Sequence, residues 1–346
     1  MTGIDGTSDI PLTKRAESGT RLNTHVHISL DPTVAARALH DGHLAALPTE
    51  TVYGLGARAD LPHAIARVYA AKGRPADHPL IVHVLDAVSL DAWGTDVRGY
   101  ARSLADEFWP GPLTLIVARS SRAGDFVTGG QDTVALRVPS HPVMREVLSA
   151  LADLTNDHAI GIAAPSANRF GRVSPTTSAH VVDELGAMLG PDDVVLEGGS
   201  SAVGVESTIV DCTGPAPVIL RPGQVSREAV ERVTGLQVGE TSHVRAPGTL
   251  DSHYSPRATV RIVNAANLED ASDNEATTGL LALASVPTPR GLVRLSEPVT
   301  VDDYARVLYA ALREADALGL ESVLAVEPPS DGIGAAVADR LRRAAT

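Results

Sequence analysis

The sequence PTETVYGLG, residues 48–56, follows the apolar run Leu44–Leu47 and is the stretch around which the chain is organised. An apolar run that is stopped by proline and followed by two closely spaced glycines is typical of a buried strand entering a tight loop. The loop carries three hydroxyls and a carboxylate, and glycines, which lack Cβ, let backbone amides approach a ligand closely. An ordinary strand-to-helix turn would have the same glycines. Motifs elsewhere in the chain are therefore needed to distinguish a turn from a ligand-binding loop.

The composition is that of a soluble α/β protein of about two domains. The chain has 346 residues, of which 44% are hydrophobic and 21% charged. Aromatic residues make up only 3%, and apolar runs alternate with helical patterns, which favours the α/β class. The net charge of -13 argues against a broad nucleic-acid-binding face.

Cysteine usage and the N-terminal sequence indicate a cytoplasmic protein without membrane contacts. Cys212 is the only cysteine, which excludes an intramolecular disulfide and a cysteine-based zinc cluster. The N-terminus lacks an apolar signal core, and no window approaches the length of a membrane span. Residues 1–22 are polar and are predicted to be a disordered tail.

The order of strands, helices and turns predicts two domains and a linker. Residues 23–235 alternate between strand and helix patterns, with helix starts at Asp31 and Ser226. Residues 236–258 have no sustained period, and a stretch of this length is usually functional or disordered. Residues 259–346 predict a small α/β domain whose helix at 301–318 faces the core and has no site. This domain has no G-x-G-x-x-G sequence, so a dinucleotide role lacks support.

Cations and hydroxyls recur beside strand ends and Pro/Gly turns. The cations are Lys72, Arg74, Arg137 and Arg221, and the hydroxyls are those of Thr49, Thr51, Thr133, Ser166, Ser174, Ser207 and Thr208. An arginine fork matches carboxylates and phosphates, and hydroxyls suit phosphate oxygens, a ribose or an amino acid. Each residue also has a structural interpretation: a lone strand arginine usually makes a surface ion pair, and His83 in an apolar strand is more often a hydrogen-bonded core residue.

The sequence contains no recognisable covalent catalyst. There is no G-x-S-x-G, no H-E-x-x-H and no P-loop in the chain. An enzyme that used ATP would therefore hold the nucleotide through serines, threonines and arginines.

Eight motifs occur in a fixed order and together resemble one family. They are PTETVYGLG, KGRP followed by HPLIVH, PGPLTL, LRVP, APSAN with a downstream SP, GVESTIVD, LRPG and HYSP. This order resembles the threonylcarbamoyl-AMP synthases of the Sua5/YrdC/YwlC family, and the C-terminal part resembles the extra domain of the longer Sua5 type. The resemblance implies a large YrdC-like twisted-sheet α/β domain and a smaller Rossmann-like α/β C-terminal domain.

The resemblance also implies a reaction. L-threonine, bicarbonate or CO2, and ATP give threonylcarbamoyl-adenylate and pyrophosphate, and the product serves a tRNA threonylcarbamoyltransferase that modifies adenosine 37. Such chemistry needs positioning and charge stabilisation rather than a nucleophile. We expect Mg2+ with the ATP, through ligands that cannot be identified from sequence, no tightly bound organic cofactor and no direct stable nucleic-acid binding.

The family pattern assigns residues to each substrate. Threonine is expected to contact Thr51, His83, Arg137, the backbone of Ala164 and Ser207. ATP is expected to contact Arg74, His78, Thr133, Ser166, Ser174, Arg221 and Tyr254. Lys72 is expected to face carbamate or phosphate oxygens, and Asn168 to shape the nucleotide loop. One departure is visible, because the family usually has Asn where this chain has His78.

The resemblance further implies that the linker motif HYSP folds back over the cleft of the large domain and covers the nucleotide. The sequence disfavours two other functions. A carbamoyltransferase of the hydrogenase-maturation type would carry cysteine zinc fingers, which one cysteine excludes. An RNA-binding factor is disfavoured by the net acidity and the absence of interleaved aromatic residues.

Overall fold

The computed structural model describes residues 26–248, 253–268 and 277–346. The predicted tail, residues 1–22, lies outside the described residues, as do residues 249–252 of the predicted linker. In these described ranges, none of the helices is both long and apolar enough to cross a bilayer.

A large twisted sheet occupies the N-terminal two thirds of the chain. Its strands are β1 (His27–Ser29), β2 (Ala45–Leu47), β3 (Gly54–Arg58), β4 (Ile81–His83), β5 (Gly94–Thr95), β6 (Leu113–Arg119), β7 (Thr133–Arg137), β8 (Ile162–Ala163), β9 (Val194–Leu196), β10 (Thr208–Asp211) and β11 (Val218–Arg221). The strand order is β1-β9-β2-β3-β8-β4-β7-β6-β10-β11, with β5 paired to β6. Parallel and antiparallel pairs alternate irregularly across it.

A second, smaller sheet lies in the C-terminal part. Its strands are β12 (Thr259–Ile262), β13 (Thr278–Leu281), β14 (Val293–Ser296) and β15 (Ser322–Ala325). They pair in the order β12-β15-β13-β14, and every pair is parallel. The predicted combination of a large twisted α/β sheet with a small α/β unit is confirmed. The domain boundaries at residues 235 and 258 stay predictions.

Ten α-helices accompany these strands in the described ranges. They are α1 (Pro32–His40), α2 (Pro62–Lys72), α3 (Ser89–Trp93), α4 (Gly99–Phe108), α5 (Asp125–Thr128), α6 (Pro142–Thr155), α7 (Ser178–Leu185), α8 (Arg227–Thr234), α9 (Val301–Ala317) and α10 (Gly334–Ala344). Helix α1 begins where predicted, because the Asp31 side chain accepts from the Thr33 amide, and α8 begins at Ser226, which accepts from the Ala229 amide.

Alternation along the central strands creates two different faces. Val82 and Leu136 pack into the main core beneath α2 and α4. Ile81 and Ala135 point the other way, into a small cluster that is covered by Ala246 of the predicted linker rather than by a helix. His83 and Arg137, the last residues of β4 and β7, lie on the same face as Ile81 and Ala135. This face, which is covered by the linker, carries the candidate site.

The two glycines of the opening motif have different positions. Both lie in strand β3 rather than in a loop, and Gly54 is its first residue. A Cβ on Gly56 would lie 2.8 Å from Cγ2 of Ile162 and 2.9 Å from Cδ1 of Leu47. Gly56 therefore lets neighbouring strands pack closely, whereas Gly54 lines the cavity described below.

Candidate active site

A cavity lies where β4, β7 and β11 end and where β10 begins. Most of the predicted site residues line it, namely Thr51, Arg74, His83, Arg137, Ala164, Ser166, Ser207, Arg221 and Tyr254. The cavity volume is about 50 Å³, and the cavity is partly open to solvent.

Arg137 is the last residue of β7 and is buried beneath the 48–53 loop. Its Nη1 donates to Oγ1 of Thr51 at 2.9 Å, and its Nε donates to the Gly111 carbonyl at 3.3 Å. The Glu50 carboxylate lies 2.7 Å from Nη2. Burial opposes ionisation of Glu50, but the neighbouring guanidinium outweighs it and lowers the pKa of this carboxyl. The arginine is thus held by a hydroxyl and a carbonyl and paired with a carboxylate.

His83 lies beside Arg137 because β4 and β7 pair in parallel with these residues in register. Burial, together with the charge of Arg137, lowers the pKa of His83 to about 3, so the imidazole is neutral at physiological pH. Within the described residues its Nδ1 has no hydrogen-bond partner. A neutral, unpartnered ring nitrogen in a cavity can donate to or accept from a ligand.

Arg221 ends β11 and holds the opposite wall. Its Nη2 donates to Oγ of Ser207 at 3.0 Å, and its Nε donates to the carbonyl of the same residue at 3.0 Å. Its Nη1 donates to the carbonyl of Pro247 in the linker, also at 3.0 Å. The Ser207 hydroxyl is further bonded to Oγ1 of Thr114 at 2.7 Å. The guanidinium is therefore fixed in place by the sheet and by the linker together.

Arg74 supplies the third guanidinium. Gly73 ends α2 in the left-handed conformation, with φ 62, and turns the chain so that Arg74 Nη2 donates to the Pro79 carbonyl at 3.0 Å. Burial lowers the pKa of Arg74 to about 10, which leaves it charged at neutral pH. Its Nε has no hydrogen-bond partner in the described part of the chain, so it has a free donor for an anion.

Four of the predicted contact residues do not line the cavity. The Lys72 ammonium donates to the carbonyls of Ser166 and Asn168, so it supports the 166–168 loop from behind. Burial lowers the pKa of Lys72 well below its usual value. The ring of His78 packs edge-on against Phe170 with centroids 5.4 Å apart.

Thr133 and Ser174 are the other two. Thr133 begins β7 and lies on the same face as Arg137, but four residues away along the strand. The Ser174 hydroxyl donates to Oε1 of Glu206 at 2.6 Å, and it is fully buried. The side chains of Lys72, His78 and Ser174 thus already have partners within the protein.

The sequence interpretation missed an acid and a histidine that line the cavity. Glu206 precedes Ser207 in the motif GVESTIVD, where a carboxylate directly beside a predicted contact residue was a signal. His253 stands beside Tyr254 in HYSP, and its pKa is lowered to about 3 by burial. The sequence also assigned no site to the helix at 301–318, yet Tyr309 on α9 donates to Glu206 at 2.7 Å.

The predicted linker covers the cavity on one side. Pro247, Gly248, His253 and Tyr254 all line it. Tyr254 has a left-handed backbone, with φ 64, which is uncommon for a residue with a side chain. Its ring stacks on that of Tyr309 with centroids 5.5 Å apart. The strained backbone is therefore held by packing against the C-terminal unit.

Three arginines, a neutral histidine and several hydroxyls thus converge in one cavity. No group of three or more His, Cys, Asp or Glu side chains in the described ranges is arranged to hold a metal ion. The fold and the cavity define an α/β protein with a site whose side chains suit small anionic molecules.

Comparisons with known proteins agree with this class. Residues 37–223 match the family model of Sua5, YciO and YrdC proteins, described as telomere recombination. Residues 225–346 match the model described as threonylcarbamoyl-AMP synthase, C-terminal domain. The chain therefore belongs to the Sua5/YrdC family of threonylcarbamoyl-AMP synthases, in its two-domain form, and the predicted resemblance is confirmed.

Individual relatives cover nearly the whole chain. The threonylcarbamoyl-AMP synthase of Pyrococcus abyssi is 37% identical over 90% of this chain and 93% of its own. The enzyme of the same name from Bacillus subtilis is 35% identical over 91% of this chain and 93% of its own. The crystal structure of P. abyssi Sua5 complexed with L-threonine matches with a TM-score of 0.80 and 36% identity, over 91% of this chain and 94% of that one.

Proposed function

We propose that this protein is an L-threonylcarbamoyladenylate synthase that uses L-threonine, bicarbonate or CO2, and ATP. The observation that carries the proposal is the convergence of Arg137, Arg74 and Arg221 in one cavity. A carboxylate and a triphosphate are both anionic, and fixed guanidinium groups at separate ends of a cavity suit an amino acid and a nucleotide together. Membership of the family supports the same assignment.

The threonine half of the site is proposed at the 48–53 loop. Arg137 binds the threonine carboxylate, Thr51 and Ser207 supply hydroxyls, and the neutral His83 and the Ala164 backbone complete the contacts. Because Glu50 already pairs with Arg137, the incoming carboxylate shares or displaces that pair. This arrangement selects an amino acid whose carboxylate can reach a buried arginine.

The ATP half of the site is proposed at Arg74, Ser166 and Arg221. The threonine nitrogen bonds to the carbon of CO2 and loses a proton, which gives a carbamate. A carbamate oxygen then bonds to the α-phosphorus while the bond from that phosphorus to the bridging oxygen breaks and pyrophosphate leaves. Fixed guanidinium groups stabilise the charge that develops on the phosphate oxygens, so no covalent enzyme intermediate is needed.

Mg2+ is proposed to enter with ATP as part of the substrate. Glu206 lines the cavity, Glu50 pairs with the lining residue Arg137, and both carboxylates thus have an arginine partner. The donor set therefore suits an ion that is held mainly by phosphate oxygens and water. The ion would neutralise the pyrophosphate leaving group.

The product is proposed to pass to a tRNA threonylcarbamoyltransferase for modification at position 37. The net charge of -13 supports a protein that does not itself bind tRNA stably. A cytoplasmic location is also proposed, and a single cysteine, which can form no intramolecular disulfide, fits such a compartment.

The proposed activity is tested by incubating the full chain with ATP, Mg2+, labelled bicarbonate and each of a panel of amino acids. We expect pyrophosphate release that depends on threonine, together with a labelled adenylate. Serine is the sharpest comparison because it lacks only the methyl group of threonine. Absence of labelled adenylate with every amino acid would refute the proposal.

A further inference from the structure

A buried network connects the cavity wall to the last helix of the C-terminal unit. The Glu206 carboxylate accepts from Ser174 Oγ at 2.6 Å, from Tyr309 Oη at 2.7 Å and from Arg340 Nε at 2.9 Å. Tyr309 lies on α9 and Arg340 on α10, and they are 0% and 1% exposed. Glu206, on the wall of the cavity, is thus held largely by residues of α9 and α10, the helices of the C-terminal unit.

The same helix also holds the linker. The guanidinium carbon of Arg340 lies 5.3 Å from the centroid of the Tyr254 ring, which is a cation–π contact. The amide of His253 donates to the Arg343 carbonyl at 3.2 Å. These contacts lie at the left-handed residue of the linker, where the backbone needs support from its surroundings. Helix α10 therefore fixes both the acid and the segment that covers the cavity.

The charge of Glu206 matters to any anion in this cavity. Burial opposes its ionisation, but Arg340, Arg221 and two hydroxyl donors outweigh burial and lower its pKa to about 2. The group is therefore a carboxylate at neutral pH. A buried carboxylate on the wall repels phosphate oxygens unless a cation compensates it. Arg340 is that cation, and it reaches Glu206 from outside the cavity.

We propose that Arg340 is a positioning residue for the nucleotide, because it compensates the charge of Glu206 and holds Tyr254 against the cavity. It leaves Arg74 and Arg221 available for phosphate oxygens. The C-terminal domain would then complete the nucleotide side of the site. The inference rests on the proposed function, which places ATP in this cavity.

If Arg340 acts by compensating the charge of Glu206, removal of that charge should rescue ATP binding in a variant that lacks Arg340. Arg340→Met is expected to raise the KM for ATP by at least about ten-fold, since it leaves a buried carboxylate uncompensated. Adding Glu206→Gln to Arg340→Met removes the negative charge at position 206 but keeps the shape of the side chain. The KM for ATP of the double variant is therefore expected to return most of the way to that of the unsubstituted chain. Arg340→Lys keeps the positive charge and is expected to stay within about three-fold of the unsubstituted chain.

Arg342 offers a matched control on the same helix. Its side chain is 66% exposed and pairs with Glu327 at the surface. Arg342→Met is expected to change the KM for ATP by less than about two-fold, as surface ion pairs contribute little. Urea unfolding of every variant shows which of them keep the native fold.

A second measurement does not depend on turnover. Hydrogen exchange at the amides of His253 and Ser255, which donate to Arg343 and Gly171, reports whether the linker stays in place. Without any ligand, we expect faster exchange at these amides in Arg340→Met than in Arg342→Met. The dissociation constant of ATP, measured by calorimetry, provides a further readout without catalysis.

The outcomes separate this inference from the proposed function. If the unsubstituted chain makes no threonylcarbamoyl-adenylate, the proposed function fails, and ATP affinity and hydrogen exchange still decide the role of Arg340. Unchanged ATP affinity with unchanged exchange in Arg340→Met would overturn the inference. So would a double variant that folds but binds ATP as weakly as Arg340→Met, because Arg340 would then act only through packing. If Arg340→Met does not fold, a loss of ATP affinity in folded Arg340→Lys beyond about ten-fold would overturn the charge explanation.

Discussion

Arg137 has a carboxylate partner before any ligand enters the cavity. Glu50 lies 2.7 Å from its Nη2, and both side chains are almost fully buried. Breaking a buried charge pair by removing one partner is strongly unfavourable, because the other charge stays buried. The pair therefore keeps Arg137 in position, and in the proposed function a threonine carboxylate would replace one carboxylate partner by another.

Replacement of Arg137 is expected to affect threonine and ATP differently. Arg137→Ala removes the arginine that is proposed to bind the threonine carboxylate. The threonine concentration needed for half-maximal pyrophosphate release should therefore rise by about 100-fold or more. ATP affinity should largely survive, since Arg74 and Arg221 are unchanged. The measurement is pyrophosphate release against threonine concentration, with ATP binding followed by calorimetry.

The exposed Arg102, which pairs with Asp91 at the surface, serves as the control. Arg102→Ala is expected to leave both ligands unaffected. Equal loss of threonine and ATP binding in Arg137→Ala would contradict the proposed division of the cavity.

His83 gives a prediction for stability against pH. Its pKa is lowered from 6.5 to about 3 in the folded protein, first by burial and then by Arg137. Between these values the unfolded chain binds a proton that the folded chain does not, so the free energy of unfolding falls as pH is lowered from 6.5. The slope from one such group approaches about 1.4 kcal/mol per pH unit.

The check is urea unfolding at several pH values for the unsubstituted chain and for His83→Gln. The variant is expected to lose less stability on acidification, whatever its stability at neutral pH. His253, which is also buried with a lowered pKa, acts in the same direction in both proteins and so cancels in the comparison. Parallel curves for the two proteins would show that His83 does not titrate in this way.

Among the elements, helix ends were predictable, whereas the role of the glycine-rich strand was not. Ser226 and Asp31 were predicted as caps because capping depends on residues within one turn. Gly56 was expected in a loop, but its role depends on Ile162, which is distant in sequence. Local periodicity carries no information about such a partner.

Helix α9 offers an element-scale prediction. Thr300 and Asp303 form a reciprocal capping box, in which each side chain accepts from the other's backbone amide. Thr300→Ala is expected to reduce the free energy of unfolding by about 1 kcal/mol. Thr300→Ser keeps the hydroxyl and should cost much less. Thermal and urea unfolding distinguish them, and equal destabilisation by both would contradict a capping role.

For the molecule as a whole, the class of each domain could be predicted but their junction could not. The sequence indicated a core-facing helix at 301–318, and Tyr309 is indeed fully buried. The partner of Tyr309 is Glu206, on the other domain, and α-helical periodicity cannot identify it. Similarly, Arg340 lies in a run of basic residues typical of an exposed helix, yet its side chain is buried.

A substitution at Gly204 tests the contact between the N-terminal domain and helix α9, which is here called the junction. Gly204 has φ +83, and a Cβ there would lie 2.4 Å from the Ala305 carbonyl oxygen and 2.4 Å from the Arg306 Cα. Gly204→Ala should therefore displace α9 and lower both stability and ATP affinity. Gly235, with φ +67 and no atom within 4 Å of a Cβ, is the matched control.

Gly235→Ala carries the cost of a left-handed backbone, about 1 kcal/mol, without the clash. Urea unfolding and ATP calorimetry of the two variants isolate the effect of the junction. Equal effects of the two substitutions would show that α9 tolerates displacement.

The pairing of Glu206 with Arg340 has a consequence for folding during translation. The two residues are 134 positions apart, so a ribosome translates the acid well before its cationic partner. A nascent chain that ends between the linker and helix α10 has the large sheet, the arginines and the loops of the cavity, but no cationic partner from α10 for Glu206. We expect such ribosome-bound chains to bind nucleotide poorly, and competence to appear only once the last helix has emerged and docked.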